Sequence, residues 1–389
     1  MYSAIDFNFL LRDLLNAAML SLVFSFLIAF PIIHLLYKFN ITRRMDYDFT
    51  TLIEKRNLKV GVPIMGGLIV VISVVVLNLF FNPARDNSEK AYESLLLILG
   101  IFVLSALLGG FDDVLNIYGK ERKQRALSLT LRLIKVHKSK LTRIKLLITL
   151  PWEVYKRFFY ILGSNPGRGI HAHEKIIVQS IVGIALGSGI YFYSSRPNPG
   201  EFWIPFFDFN LDIGFLIIPF AWLTVLLMTN AVNLADGMDG LAAGELFPSF
   251  FGFLVLAIAK QDFRIAFLIA TVLGALLTYL YFNAPPARFQ MGDVGSLSLG
   301  TLLATVAFIL AEPMMLLIIS FPFALTLLSS LIQGVGRRII GRRIFRMAPI
   351  HYHLQLTRKW SEEKVVFRLI LFSMACSLFG LWVYFNQAL

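Results

Sequence analysis

The stretch Thr229-Asn230-Ala231-Val232-Asn233-Leu234-Ala235-Asp236-Gly237-Met238-Asp239-Gly240-Leu241-Ala242 is a short polar island between two long apolar runs. Asn233, Asp236 and Asp239 recur every third residue, so a helical turn through them would gather all three on one face. Gly237 and Gly240 allow tight turns and let backbone approach a ligand closely. Carboxylates at the edge of an apolar span are costly, which points to a functional site rather than a solvated connector.

The flanking sequence sets the class. The chain is 57% hydrophobic with a mean hydropathy of +0.71, outside the range of soluble globular proteins. Ten apolar spans are expected, at about Leu14–Tyr37, Pro63–Phe81, Leu95–Phe111, Lys175–Phe192, Ile213–Met228, Leu241–Ala259, Ile265–Phe282, Leu297–Leu310, Met314–Ile332 and Val366–Phe385. The expectation is an all-α integral membrane protein, a single polytopic domain over residues 1–389 with both termini outside. Basic residues follow the first span, crowd the segment of about 120–168 and fill Gly334–Lys364, placing these loops in the cytoplasm. The 120–168 insertion alone holds thirteen Lys or Arg against two acids, Glu121 and Glu153. Its leucines fit either strand alternation or a helix face. Interfacial basic helices against anionic membrane lipids are preferred, and no nucleic-acid partner is expected. The loop Ser194–Asp212, with Phe202, Trp203, Phe206 and Phe207, suits an external aromatic belt. The single cysteine, Cys376, excludes a disulfide framework and a thiolate metal site.

Under this topology five polar islands share the cytoplasmic face: Lys59–Gly67, Gly110–Asp113, Asn230–Gly240, Asn283–Ser296 and Pro349–His353. Loops converging at one bilayer boundary suit an active site, whereas a pore or transporter needs polar positions within paired spans. The adjacent Asp112 and Asp113 repel each other, which raises one pKa or recruits a hard cation such as Mg²⁺. Asp293, framed by Gly292 and Gly295, adds a third carboxylate at the entrance to a span. His351 and His353 lack a third ligand at zinc spacing, so phosphate contact or proton transfer is the better reading. Lys59 and Lys175 are cations near the same face and suit phosphate neutralisation.

Together the islands resemble the polyprenyl-phosphate N-acetylhexosamine-1-phosphate transferase superfamily. The resemblance lies in Pro63-Ile-Met-Gly-Gly67, Gly110-Phe-Asp-Asp113, Asn230 to Gly240, Phe282-Asn-Ala284, Met291-Gly-Asp-Val-Gly-Ser296 and Arg343 to His351, in the family's order. The last run points to the peptidoglycan branch. The resemblance implies a multi-pass enzyme of the bacterial cytoplasmic (inner) membrane with its active site facing the cytoplasm. It implies transfer of phospho-MurNAc-pentapeptide from a UDP-linked donor to undecaprenyl phosphate, giving lipid I and UMP. A related transferase moving another sugar-1-phosphate, such as GlcNAc-1-phosphate, is the alternative, and a homodimer is compatible with either. By resemblance, Asp293 would coordinate Mg²⁺, and Asp112 and Asp113 would handle the lipid phosphate. Asn233, Asp236 and Asp239 would hold the nucleotide, with Lys59 on its side. Lys175 would contact the phosphates, and His351 the reacting phosphates or sugar. Asn283 and His353 complete the expected substrate-binding set. The family usually carries an aromatic at Gln290 that stacks on uracil, so Phe289 or Tyr352 is the expected replacement surface. The 120–168 insertion also departs from the family's short connection.

Overall fold

The computed structural model describes residues 7–43, 60–84, 89–119, 127–162, 169–193, 196–207 and 209–387. Lys59 lies outside the described residues. The chain is all-α apart from one hairpin. The first helices are α1 (Phe7–Lys38), α2 (Leu68–Phe81), α3 (Glu89–Tyr118), α4 (Leu127–Val136), α5 (Lys140–Leu162) and α6 (Ala172–Tyr193). Strands β1 (Glu201–Ile204) and β2 (Phe209–Asp212) pair antiparallel, with Glu201 opposite Asp212. Next come α7 (Ile217–Ala235), α8 (Leu241–Ala259), α9 (Phe263–Asn283) and α10 (Gly292–Ile309). The chain closes with α11 (Pro313–Ile319), α12 (Phe321–Ile339), α13 (Ile350–Arg358) and α14 (Glu362–Gln387).

Among the described residues, eight helices are long and apolar enough to cross a membrane, and the shorter α2 is also apolar. The expected span Met314–Ile332 is two helices, α11 and α12, bent by 81°. Pro322 in the first turn of α12 explains the break at Ser320, because it has no amide hydrogen for the Ile318 carbonyl and its ring would clash there, so α11 cannot run on through it. The loop expected as an aromatic belt is the β-hairpin. Only part of it is exposed. Phe202 packs on Phe220 and Trp203 on Tyr384, while Phe206 and Phe207 face outward.

Helix α10 is the centre of the bundle, packed against α3 and α7 and touching α2, α6, α8 and α11. Its sequence, GDVGSLSLGTLLATVAFI, is rich in small residues, and lipid-embedded helices associate best where small residues let backbones close in. A Cβ on Gly109 of α3 would fall 2.1 Å from the Asp293 carbonyl oxygen, and one on Gly300 would meet Thr229 Cα at 2.8 Å. Buried hydroxyls link the three helices. Ser105 Oγ donates to Thr301 Oγ1 at 3.0 Å, and Thr301 Oγ1 lies 3.0 Å from Thr229 Oγ1. The same logic joins α1 to α9, where Ser21 donates to the Thr271 carbonyl and Ser25 to Thr278.

Close backbone approach at Gly109 therefore sets the α3–α10 distance. Gly109→Ala should lower the Tm of the detergent-purified protein, by an overpacking cost of about 1–3 kcal/mol. Gly100→Ala on the same helix, where a Cβ meets nothing within 4 Å, should leave it unchanged. Equal thermal melts for the two variants would refute the packing argument.

Candidate active site

Five segments end at the same end of the bundle: the C-terminal parts of α3, α7 and α9 and the N-terminal parts of α6 and α10. Helix α7 stops at Ala235, so Asn233 lies on the helix while Asp236 caps it and Asp239 sits in the turn that follows. The three therefore do not share one helical face. Gly240, at φ +79°, turns the chain into α8.

Lys175, from the first turns of α6, is the link at the centre. Its Nζ lies 2.6 Å from Asp293 Oδ2 and is also paired with Asp112 Oδ2. Asn233 Nδ2 donates to Asp293 Oδ1 at 2.7 Å and to Ser296 Oγ at 2.8 Å. Both oxygens of Asp293 are thereby fixed in direction. Asp112 Oδ1 accepts from the Ile170 amide, which ties the carboxylate to the segment entering α6.

Asp113 is placed differently. Its two oxygens accept from the amides of Asp293 and Val294, each at 3.0 Å. It thus caps the N-terminus of α10 from a neighbouring helix, satisfying donors that a helix start leaves open. Gly292 makes room for this cap. At φ +70°, a Cβ there would lie 2.6 Å from Asp113 Oδ2. Asp112 faces the cation, and Asp113 holds the helix that carries Asp293.

Asp236 is half-buried. Burial, with the Asp293 charge beside it, pushes its carboxyl up to about 8, against the Arg43 guanidinium and the Gly292 N–H. Asp239 Oδ2 accepts from the Ala287 amide at 3.4 Å, and its own N–H donates to Glu362 Oε1 at 3.2 Å. Asn283 accepts from the Gly240 amide at 2.7 Å and donates to the Phe289 carbonyl at 2.8 Å, so its amide joins two site loops.

The two histidines diverge. His351 is fully buried, and a Cβ on Gly237 would meet its Nε2 at 3.1 Å. Tyr352 beside it donates to the Gly237 carbonyl at 2.7 Å. His353 instead turns to the loop before it, accepting from the Arg346 amide at 3.1 Å and packing on Phe345. Phe289 is fully buried against Tyr279 and Phe282, so it offers no free face for a base.

Arg43 was not legible as a site residue. Its backbone pairs with Val62, and its guanidinium donates to Gln290 Oε1 at 2.9 Å, beside Asp236. Local sequence gave no sign of it, because the contact spans the Pro63–Gly67 segment. That segment pairs with the loop before α10, Gln290 N–H to the Pro63 carbonyl and Gly66 N–H to the Gln290 carbonyl, both at 2.8 Å.

Among the described residues no three His, Cys, Asp or Glu side chains are already grouped to hold a metal. The donor set nevertheless fits Mg²⁺, which takes one or two carboxylates and completes its octahedron with substrate phosphates and water. Asp112 and Asp293 share the single ammonium of Lys175, while Asp113 caps the helix that carries Asp293. Two carboxylates against one ammonium leave a formal negative charge that a cation could share.

The glycosyl transferase family 4 model matches residues 168–311, which include Lys175, Asn233, Asp236, Asp239 and Asp293. The phospho-N-acetylmuramoyl-pentapeptide-transferase of Halalkalibacterium halodurans is 31% identical over 332 residues, covering 84% of this chain and 85% of that protein. Proteins of the same name from Bacillus thuringiensis and Bacillus cereus are 31% identical over 311 residues, 79% of each chain. By this likeness along most of its length, the chain belongs to the phospho-N-acetylmuramoyl-pentapeptide transferase family.

Proposed function

We infer that the protein transfers phospho-MurNAc-pentapeptide from its UDP-linked donor to a polyprenyl phosphate, releasing UMP and forming lipid I. The observation that carries this reading is the Lys175 bridge between Asp112 and Asp293 at one end of an apolar bundle, in a chain of this family. Undecaprenyl phosphate is the acceptor we assign, and Mg²⁺ the cofactor. The site faces the cytoplasm of a bacterial inner membrane, because the basic loops lie on its side.

An oxygen of the lipid phosphate bonds to the phosphorus that carries the sugar, and the diphosphate P–O bond to UMP breaks. Bringing these anions together is the main barrier, so fixed positive charge and placement supply most of the rate. Lys175 supplies charge between the two carboxylates, and Asp112 takes the proton of a monoprotonated lipid phosphate. Asn233 keeps Asp293 aimed. Asp113 holds the start of α10, leaving Asp112 the proton work. When bound, Mg²⁺ would offset charge on the diphosphate and the leaving UMP, held by Asp293. Asp236, protonated near neutral pH, can donate a hydrogen bond to the nucleotide, with Arg43 and Asp239 on the same side. His351 sits by the turn where the sugar phosphate enters. The half-buried position of His353, against the loop before α13, suits contact with the donor's outer part.

Purified protein given undecaprenyl phosphate, Mg²⁺ and UDP-MurNAc-pentapeptide should release UMP. Turnover of UDP-GlcNAc with none of the muramoyl donor would replace the substrate assignment. Asp293→Asn and Lys175→Gln should each cut kcat on the order of a hundredfold or more. Retained activity in Asp293→Asn would remove its metal role.

Asp236 gives a pH signature. Its folded value lies above the ordinary carboxylate value of about 4, so the folded chain keeps a proton that the unfolded chain loses. Its contribution is therefore intact below about pH 4 and declines as pH rises toward about 8. The Tm of Asp236→Asn relative to wild type should rise steadily from about pH 5 to about pH 8. A pH-independent gap would show that the carboxyl is already ionised.

A further inference from the structure

The described part of the 120–168 insertion makes none of the site contacts above, yet it touches the helix that carries Lys175. Its described part is a helical hairpin, α4 and α5, packed together. Neither helix is among those long and apolar enough to cross a membrane. Residues 127–162 hold eight Lys or Arg against Glu153 alone. On α5, positions 141, 144, 148, 152 and 155 fall on one face by helical spacing. The first three leave apolar side chains uncovered, with Leu141 78% and Ile148 73% exposed. Lys138, Lys140, Arg143 and Lys145 are exposed around them.

The far end of that face docks on α6. Tyr155 Oη donates to the His173 carbonyl at 3.1 Å, and the Trp152 ring meets the His173 ring edge-on at 5.2 Å. His173 stands two residues before Lys175 in the first turns of α6. One stripe thus has a docked end, clamping the start of α6, and a bare end.

We propose that the bare end of α5, with the basic residues beside it, lies on the anionic phospholipid surface of the bilayer and holds the start of α6 in place. Uncovered Leu141, Ile144 and Ile148 favour a lipid surface over nucleic acid, which would meet the cations but leave these apolar groups in water. The chain enters the insertion from α3 and leaves it into α6, both membrane-crossing by length and composition, so the hairpin is tethered at the bilayer edge. Lysines and arginines around an apolar stripe match a headgroup layer of phosphatidylglycerol type, with apolar groups inserted and charges among the phosphates. The clamp on α6 bears on transfer only if the function proposed above is right. Lipid docking does not depend on it, so docking is read without turnover.

The test uses full-length protein with Cys376→Ala and Ile148→Cys, labelled with an environment-sensitive fluorophore and reconstituted in vesicles. With phosphatidylglycerol present, the label should emit as in an apolar medium and be quenched by brominated lipid. In phosphatidylcholine alone, quenching should fall severalfold, and added salt should weaken it. Replacing Lys138, Lys140, Arg143 and Lys145 with Gln should abolish the difference between the two lipids. Water-like, unquenched emission in phosphatidylglycerol vesicles, with or without co-purified RNA, overturns docking. Tyr155→Phe should keep the label quenched while amide exchange at residues 172–176 rises severalfold. Unchanged exchange there overturns the clamp.

Discussion

One ammonium between two carboxylates organises this protein. Lys175 joins Asp112 and Asp293, which come from helices far apart in sequence. In a bilayer protein such a cluster is expensive unless each charge has a partner and the site opens to water or substrate. Much of the surrounding architecture serves that arrangement. Small residues bring α3 and α7 against α10, buried hydroxyls pair with one another, and Asn233 and Ile170 complete the polar contacts.

Asp112 and Asp113 show how position separates neighbours of one chemistry. On a helix, adjacent side chains diverge by about 100°. One therefore turns to the cation, and the other to the amides at the start of α10. Their adjacency looked like a doubled charge, whereas the structure uses one for the site and one for the scaffold.

The membrane class and most spans were legible because crossing hydrocarbon demands about twenty apolar residues, a requirement any sequence must display. The polar islands were legible for the complementary reason, since carboxylates at span ends need a purpose. Less legible were features made by contacts between distant segments. Arg43 reaches Gln290 only because Val62 and Ile64 pair with residues 41–43 while Pro63 and Gly66 pair with Gln290. Asn283, read as a substrate ligand, spends its amide on two backbones. The break before α12 had a local signal in Pro322, but the surrounding apolar run resembled an uninterrupted span. Phe202 and Trp203 likewise had the composition of a belt, and only packing on Phe220 and Tyr384 buries them.

The cap that Asp113 places on α10 makes one half of the site stiff. Gly109 and Gly292 leave no slack around Asp293. At Arg43 and Gln290 the backbones are also paired, through Val62, Pro63 and Gly66, but the contact between the two residues is made by long side chains. Substitution at residues 43 and 290 therefore alters that side-chain contact without touching the close packing around Asp293. A compound shaped to the rigid half would meet the same surface whatever those two side chains became.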